Sequence, residues 1–244
     1  MAPPPTPQAP EDLLVGLDAD DTLWHSEVHF EMTQRQVRDL LAHHIDGPDF
    51  DERLLAVERR NLGVFGYGVK GFTLSLIETA IEVTAGEVPA SDIARILDWA
   101  KELLARPVDL LDDVEAVVAQ LATRYRLVVI TKGDLFHQEA KVASSGLSGH
   151  LAGVEVVSEK DPADYQRILD RYGVPPERFV MVGNSLRSDV VPVAQLGGRA
   201  VHIPYEVTWE FELAELPDAL ADRVTRLDRF GQLPAALDRL ARAV

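Results

Sequence analysis

Leu13-Leu14-Val15-Gly16-Leu17-Asp18-Ala19-Asp20-Asp21-Thr22 is the stretch on which the reading of this chain turns. A short apolar run without polar alternation reads as a strand buried on both faces of a parallel sheet. It ends abruptly in three carboxylates and a hydroxyl. Four further runs follow, at 127–130 (LVVI), 154–157 (VEVV), 179–182 (FVMV) and 199–203 (RAVHI). Helical patterns separate the later ones. Val114, Val117, Val118 and Leu121 recur at helical spacing. Asp161-Pro162 is a helix start, a carboxylate cap before a proline in the first turn. Tyr165, Ile168, Leu169 and Tyr172 share one side of that helix, and Gly173 closes it. Strand and helix in alternation predict an α/β fold, a doubly wound, Rossmann-like parallel sheet.

The spacing is uneven. The first strand ends at Asp18 and the second begins at Leu127, far more chain than one crossover helix needs. Ile93, Ile96, Leu97, Ala100, Leu103 and Leu104 trace an apolar stripe in the intervening tract. Met32, Val37, Leu40 and Leu41 make a weaker one, as do Leu54, Leu55 and Val57, and Phe72, Leu76, Ile77 and Ile81 suggest another. We therefore expect an all-helical insertion over 25–107, returning at Arg106-Pro107, and a core built from 13–24 and 108–244. A short terminal helix should dock Leu237 and Leu240. Residues 1–12 hold five prolines and little to bury, which predicts a disordered, Pro-rich tail rather than a leader.

Composition narrows the function. The chain has 244 residues, 46% of them hydrophobic, and 24 Lys+Arg against 40 Asp+Glu give a formal net charge of −16. So acidic a surface disfavours nucleic acid and anionic membranes, and no apolar run reaches the roughly 18 residues of a membrane helix. There is no cysteine, which excludes disulfides, thiolate metal sites and thiol catalysis. This is compatible with a reducing compartment, and the cytoplasm is the expected location. The expected partner is a small molecule, met by a monomer or a homodimer.

In a doubly wound sheet the site lies beyond the carboxyl ends of the strands. Those ends carry Asp18 to Thr22, then Thr131-Lys132-Gly133-Asp134, then Ser158-Glu159-Lys160, then Gly183-Asn184-Ser185-Leu186-Arg187-Ser188-Asp189. Carboxylates converging on one rim repel unless a cation sits among them, and an oxygen-only donor set suits a hard ion such as Mg²⁺. A carboxylate beside such an ion can act as a nucleophile. Residues i and i+2 of an extended segment share a side, so Asp18 and Asp20 can serve one substrate. Thr131, its neighbour Lys132, and Lys160 are suited to phosphoryl oxygens.

Taken together, these motifs resemble those of the haloacid dehalogenase (HAD) superfamily of hydrolases with a helical cap after the first strand. Asp18, Asp20 and Thr22 match its first motif, Thr131 the second, Lys160 the third, and the tract from Gly183 to Asp189 the fourth. The resemblance implies a Mg²⁺-dependent phosphatase acting on a small phosphorylated metabolite. Asp18 would form an aspartyl-phosphate, and Asp20 would protonate the leaving group and then activate water. The metal would be held by the Asp18 side chain, the Asp20 carbonyl, Asn184 and Asp189. Two residues depart from the pattern. Asp21 stands where the family usually has glycine, and should face away or cap the next helix. Asn184 stands where an aspartate is frequent, which removes a charge. Asp20 argues against the namesake dehalogenases, which lack a second aspartate. A phosphomutase and a non-catalytic phospho-ligand sensor remain the alternatives. In the insertion, the glycine-rich stretch 59–71 carries two aromatics and three cations, and its Tyr67 and Lys70 are the candidate substrate contacts; the plainer reading is a turn between helices. Tyr205 and Trp209 follow the fifth run, where packing is the simpler role.

Overall fold

A computed structural model describes residues 13–242. The expected tail, 1–12, lies outside the described residues. Six parallel strands form one sheet: β1 (Leu14–Leu17), β2 (Arg126–Lys132), β3 (Gly153–Val157), β4 (Phe179–Gly183), β5 (Arg199–His202) and β6 (Val224–Arg226), in the order β3-β2-β1-β4-β5-β6. The winding reverses at β1, between β2 and β4, so the end of β1 opens into the crevice where such sheets bind ligands. Leu17 pairs with Val129 and Val182, and the Asp18 N–H continues the ladder to the Val182 carbonyl at 2.8 Å.

The apolar runs are continuous because both faces of the sheet are covered. Val15, Leu17, Val129, Val180 and Val182 point to one side, where α5 (Val114–Ala122) and α9 (Leu233–Ala241) pack. Leu14, Val128, Ile130, Phe179 and Met181 point to the other, against α7 (Pro162–Tyr172) and α8 (Val191–Leu196). This is strand alternation with no solvent face. The Asp161 side chain caps α7 by accepting from Asp164 N–H at 2.8 Å, and Gly173 ends it at φ 67°. Leu237 and Leu240 of α9 are buried. The remaining core helix, α6 (Leu135–Ser144), follows β2. Strand β6 is a strand the sequence did not announce: it has three residues, none buried, and no apolar run.

Four helices lie between β1 and β2: α1 (Glu27–Leu40), α2 (Gly47–Phe65), α3 (Val69–Val83) and α4 (Ala90–Leu104). They enclose their own cluster, centred on Val37, Phe50, Leu54, Phe72, Leu76, Ile96 and Leu103. Three residues of the expected stripes turn out exposed: Met32, Ile81 and Leu97. On α1 the buried line runs through Thr33 and Val37, one turn apart, and Met32 sits about 100° off it. The strands of chain entering and leaving the insertion run side by side. His25 N–H donates to Asp109 O at 3.0 Å and Leu111 N–H to Leu23 O at 3.0 Å. Among the described residues no helix is long and apolar enough to cross a membrane.

Candidate active site

Asp18 is the first residue beyond β1, and it is buried. The Lys160 ammonium, delivered just ahead of α7, donates to Asp18 Oδ1 and also to Asp189 Oδ1, the latter at 2.7 Å. The Thr22 hydroxyl donates to Asp18 Oδ2 at 2.9 Å and accepts from Asn184 N–H at 3.1 Å. Thr22 Oγ1 also lies 3.3 Å from Asn184 Oδ1. Asp189 stands in a single π-helical turn, Leu186–Val190, and its other oxygen accepts from Ser185 N–H at 3.0 Å. Such turns recur at functional sites because they re-aim one side chain. Gly183 allows that approach: a Cβ there would overlap the Asp189 carboxylate. One ammonium thus serves two buried carboxylates. Burial and the neighbouring Asp189 push Asp18 up to about 7 against the pull of Lys160. The paired carboxylates hold Lys160 above the usual lysine range, so it stays charged although burial opposes this.

Asp20 is turned towards α6. Its carboxylate accepts from Trp24 Nε1 at 2.6 Å, Gln138 Nε2 at 2.8 Å and Lys141 Nζ at 2.5 Å. Burial alone would raise it. The Lys141 charge and the three donors outweigh that and hold Asp20 below the ordinary carboxylate value. Asp21 adopts φ 63°, a left-handed position that explains why glycine is usual there. Its carboxylate caps α1, accepting from Ser26 N–H at 2.8 Å and Glu27 N–H at 3.0 Å. The capping alternative expected for Asp21 is the one realised.

Thr131 is buried at the end of β2 and lines the same cavity as Asp18. Lys132 is held on Glu212 Oε1 at 2.5 Å and Ser188 Oγ at 2.9 Å, with its ammonium 4.1 Å from the centre of the Tyr67 ring. Glu212, past β5, also accepts from the Ser188 hydroxyl at 2.5 Å, and these partners hold it below the usual glutamate value although burial acts the other way. Tyr67 reaches the rim and donates to Glu159 Oε1 at 2.8 Å. Lys70 does not line the cavity; it pairs with Asp134 at 2.9 Å on the surface. Trp209 is more than packing. It lines the cavity, donates to the Glu58 carboxylate, and meets the Tyr67 ring edge-on at 6.0 Å.

The cavity, of about 170 Å³, lies between this rim and the insertion. Its far wall holds Glu27 and Phe30 from α1, Glu58 and Asn61 from α2, and Phe72 and Ser75 from α3. Burial, then the charges of Asp21 and Glu58, push Glu27 up to about 8. Burial likewise pushes Glu58 up to about 7. Glu27, Glu58, Gln138, Lys141 and Glu212 escaped the sequence reading, because their roles come from contacts between distant segments rather than from a local motif.

Among the described residues no three His, Cys, Asp or Glu side chains converge as a metal site. What the rim brings together is two carboxylates, Asp18 and Asp189, and the Asn184 side-chain oxygen. That is an oxygen-only set whose buried carboxylates are held up towards their neutral forms, and a hard divalent cation fits it by favouring their charged forms.

A sequence model of the haloacid dehalogenase-like hydrolases matches residues 14–197. The chain belongs to this family. A crystal structure of a HAD-like family hydrolase from Xanthomonas campestris is 44% identical, with a TM-score of 0.86, over 100% of this chain and 97% of that one. Two curated HAD phosphatases are more distant. The N-acylneuraminate-9-phosphatase of Mus musculus is 28% identical over 120 residues, 46% of this chain and 48% of that protein. The phosphoserine phosphatase of Thermus thermophilus is 29% identical over 138 residues, 54% of each. The chain therefore spans about half the length of the curated relatives it matches. An L-2-haloacid dehalogenase from Xanthobacter autotrophicus, 18% identical with a TM-score of 0.59 over 92% of this chain and 98% of that one, shares the fold alone. This HAD chain is a hydrolase.

Proposed function

We propose that this HAD hydrolase is a Mg²⁺-dependent phosphatase that hydrolyses a small phosphomonoester through an aspartyl-phosphate on Asp18. The observation that carries the reading is the Lys160 ammonium bridging Asp18 and Asp189, with Asp20 two residues beyond the nucleophile. A second carboxylate at that position supports phosphate chemistry over dehalogenation, and the curated relatives are phosphatases.

Asp18 Oδ attacks phosphorus, the bond to the leaving oxygen breaks, and that oxygen takes a proton from Asp20. Water then attacks phosphorus, Asp20 takes its proton, and the bond from Asp18 breaks. Proton transfer of this kind contributes roughly 10²–10⁴-fold. In the conformation seen, Asp20 is ionised and held by Lys141, Gln138 and Trp24, the form of a base. The first half-reaction requires a proton on Asp20 and a loosened hold by Lys141. Lys160 offers charge to phosphoryl oxygens, and Thr131 a hydroxyl. Asp18, Asp189, Asn184 and the Asp20 carbonyl would hold the cation, which when bound supplies the charge neutralisation that phosphoryl transfer demands.

The test is phosphate release from a panel of small phosphomonoesters, with Mg²⁺ and with EDTA, beside an Asp18→Asn control. Metal-dependent release that disappears in the control is expected. Release that survives Asp18→Asn removes Asp18 from its role, and no release from any compound favours the mutase or sensor reading.

A further inference from the structure

We propose that the insertion wall formed by Glu27 and Glu58 selects phosphomonoesters whose leaving group carries a protonated amine. The inference rests on the phosphatase reading above and adds the substrate class. One cavity runs from Asp18 to this wall, so a substrate with its phosphoryl group at the rim projects its leaving group at the two glutamates. Among the described residues that line the cavity, the cations are Lys132 and Lys160. Both belong to the rim, and both are already engaged by carboxylates.

Among the described residues the wall carries two carboxyl groups and no cation, its neutral donors being the Ser26 and Thr208 hydroxyls and the Trp209 indole. Glu58 accepts from the Trp209 indole, and the Glu27 carboxylate has no ion pair or hydrogen-bond partner among the described residues. The nearby guanidiniums are committed elsewhere. Arg59 pairs with Glu210 at 3.8 Å and covers the Phe211 ring, and Arg60 pairs with Glu78 and Glu82. The neutral amides beside them are spent as well. Gln34 Nε2 donates to Asp51 at 2.9 Å, and Asn61 Nδ2 donates to Glu78 at 2.6 Å and Ser75 at 3.2 Å. Partly buried carboxyl groups without a cationic partner carry a desolvation cost, and a ligand that brings N–H donors and a positive charge lowers it. An alcohol brings donors without the charge. An ammonium draws Glu27 and Glu58, which burial holds towards their neutral forms, into the charged form; a carboxylate brings no charge to offset theirs and would have to share a proton with them, so acidic leaving groups are selected against.

The experiment uses the full chain and three matched series: ω-aminoalkyl, ω-hydroxyalkyl and ω-carboxyalkyl phosphates with chains of two to five carbons, with p-nitrophenyl phosphate beside them. The best amine should exceed its hydroxyl counterpart in kcat/KM by about tenfold or more, and the carboxylate should be poorest. Glu58→Gln and Glu27→Gln, nearly isosteric, should bring the amine-to-hydroxyl ratio towards one. Equal or better turnover of the hydroxyl or carboxyl series by the unaltered chain overturns the inference while leaving the phosphatase reading intact. So does a ratio that persists in the double variant. No phosphate from any compound, p-nitrophenyl phosphate included, overturns both. The series measured on the unaltered chain decides the matter even if a variant fails to fold.

Discussion

At the rim of the sheet, Lys160 bridges Asp18 and Asp189, Lys132 is held on Glu212, and Lys141 is held on Asp20. Across the same cavity stand Glu27 and Glu58, two acidic side chains that among the described residues pair with no ammonium or guanidinium, so burial holds them towards their neutral forms. The two regions are built for different ends. The rim assembles opposite charges around the place where phosphorus would sit, so its geometry is set before a ligand arrives. The wall is left without a cationic partner, which is the place the proposed ammonium would take. The rim is made of strand ends, where a ladder bond from Asp18 to Val182 fixes the backbone. The wall is made of helices that pack on a cluster of their own.

Changes at the rim should therefore cost turnover, and changes at the wall should alter selectivity and pH response. The largest effect is expected from Asp18→Asn, a fall in phosphate release on the order of 10⁴-fold or more with an unchanged circular dichroism spectrum. Asp20→Asn should lose about 10²–10⁴-fold in kcat. Its Mg²⁺ affinity, read by calorimetry, should barely move, because in the proposed ligand set Asp20 would contribute only its backbone carbonyl; a matching loss of affinity would count against that assignment. Gly183→Ala should displace Asp189 and destabilise the fold by about 1–3 kcal/mol, seen as a lower Tm together with weaker Mg²⁺ binding.

The smallest effect belongs to the wall. Glu27 and Glu58 bind protons more readily folded than unfolded, since burial lifts them from the ordinary glutamate value of 4.5 to about 8 and about 7. Between those limits the folded state holds more protons, so stability falls as pH rises, and it levels off above about 8. Glu58→Gln removes its share of that slope. The variant should gain on the order of 2 kcal/mol relative to the parent between pH 5 and pH 8, visible as a Tm difference that grows with pH. A Tm difference that is flat across this range would show that Glu58 is not desolvated, and the contrast between rim and wall would fail.

How much of this was legible beforehand follows the same division. The strand ends were readable because the candidate groups follow within a few residues of apolar runs that any parallel sheet must bury. Asp18, Thr131, Lys160 and Asp189 all line one cavity as that logic requires. The α7 boundaries were readable from Asp161, Pro162 and Gly173 because caps are local chemistry. The partners that tune the rim were not. Lys141 reaches Asp20 across 121 positions and Glu212 reaches Lys132 across 80, and no local pattern encodes such contacts. In the insertion, cationic composition was misleading. Lys70 and Arg60 are consumed by surface carboxylates, while the charged residues of the insertion that line the cavity are Glu27 and Glu58. Tyr67 does reach the rim, carried there by the glycine-rich turn between α2 and α3. That turn closes tightly, since a Cβ on Gly71 would come within 2.5 Å of the Gly66 carbonyl oxygen.

The central claim is that Asp18 is the nucleophile, and borohydride trapping during steady turnover of a phosphomonoester tests it most directly. An aspartyl-phosphate is reduced by borohydride to homoserine, whereas a free carboxylate is not. Peptide mass mapping should find homoserine at position 18 alone, and only when substrate and Mg²⁺ are both present. Reduction at another carboxylate, with position 18 still aspartate while phosphate is being released, would contradict the account.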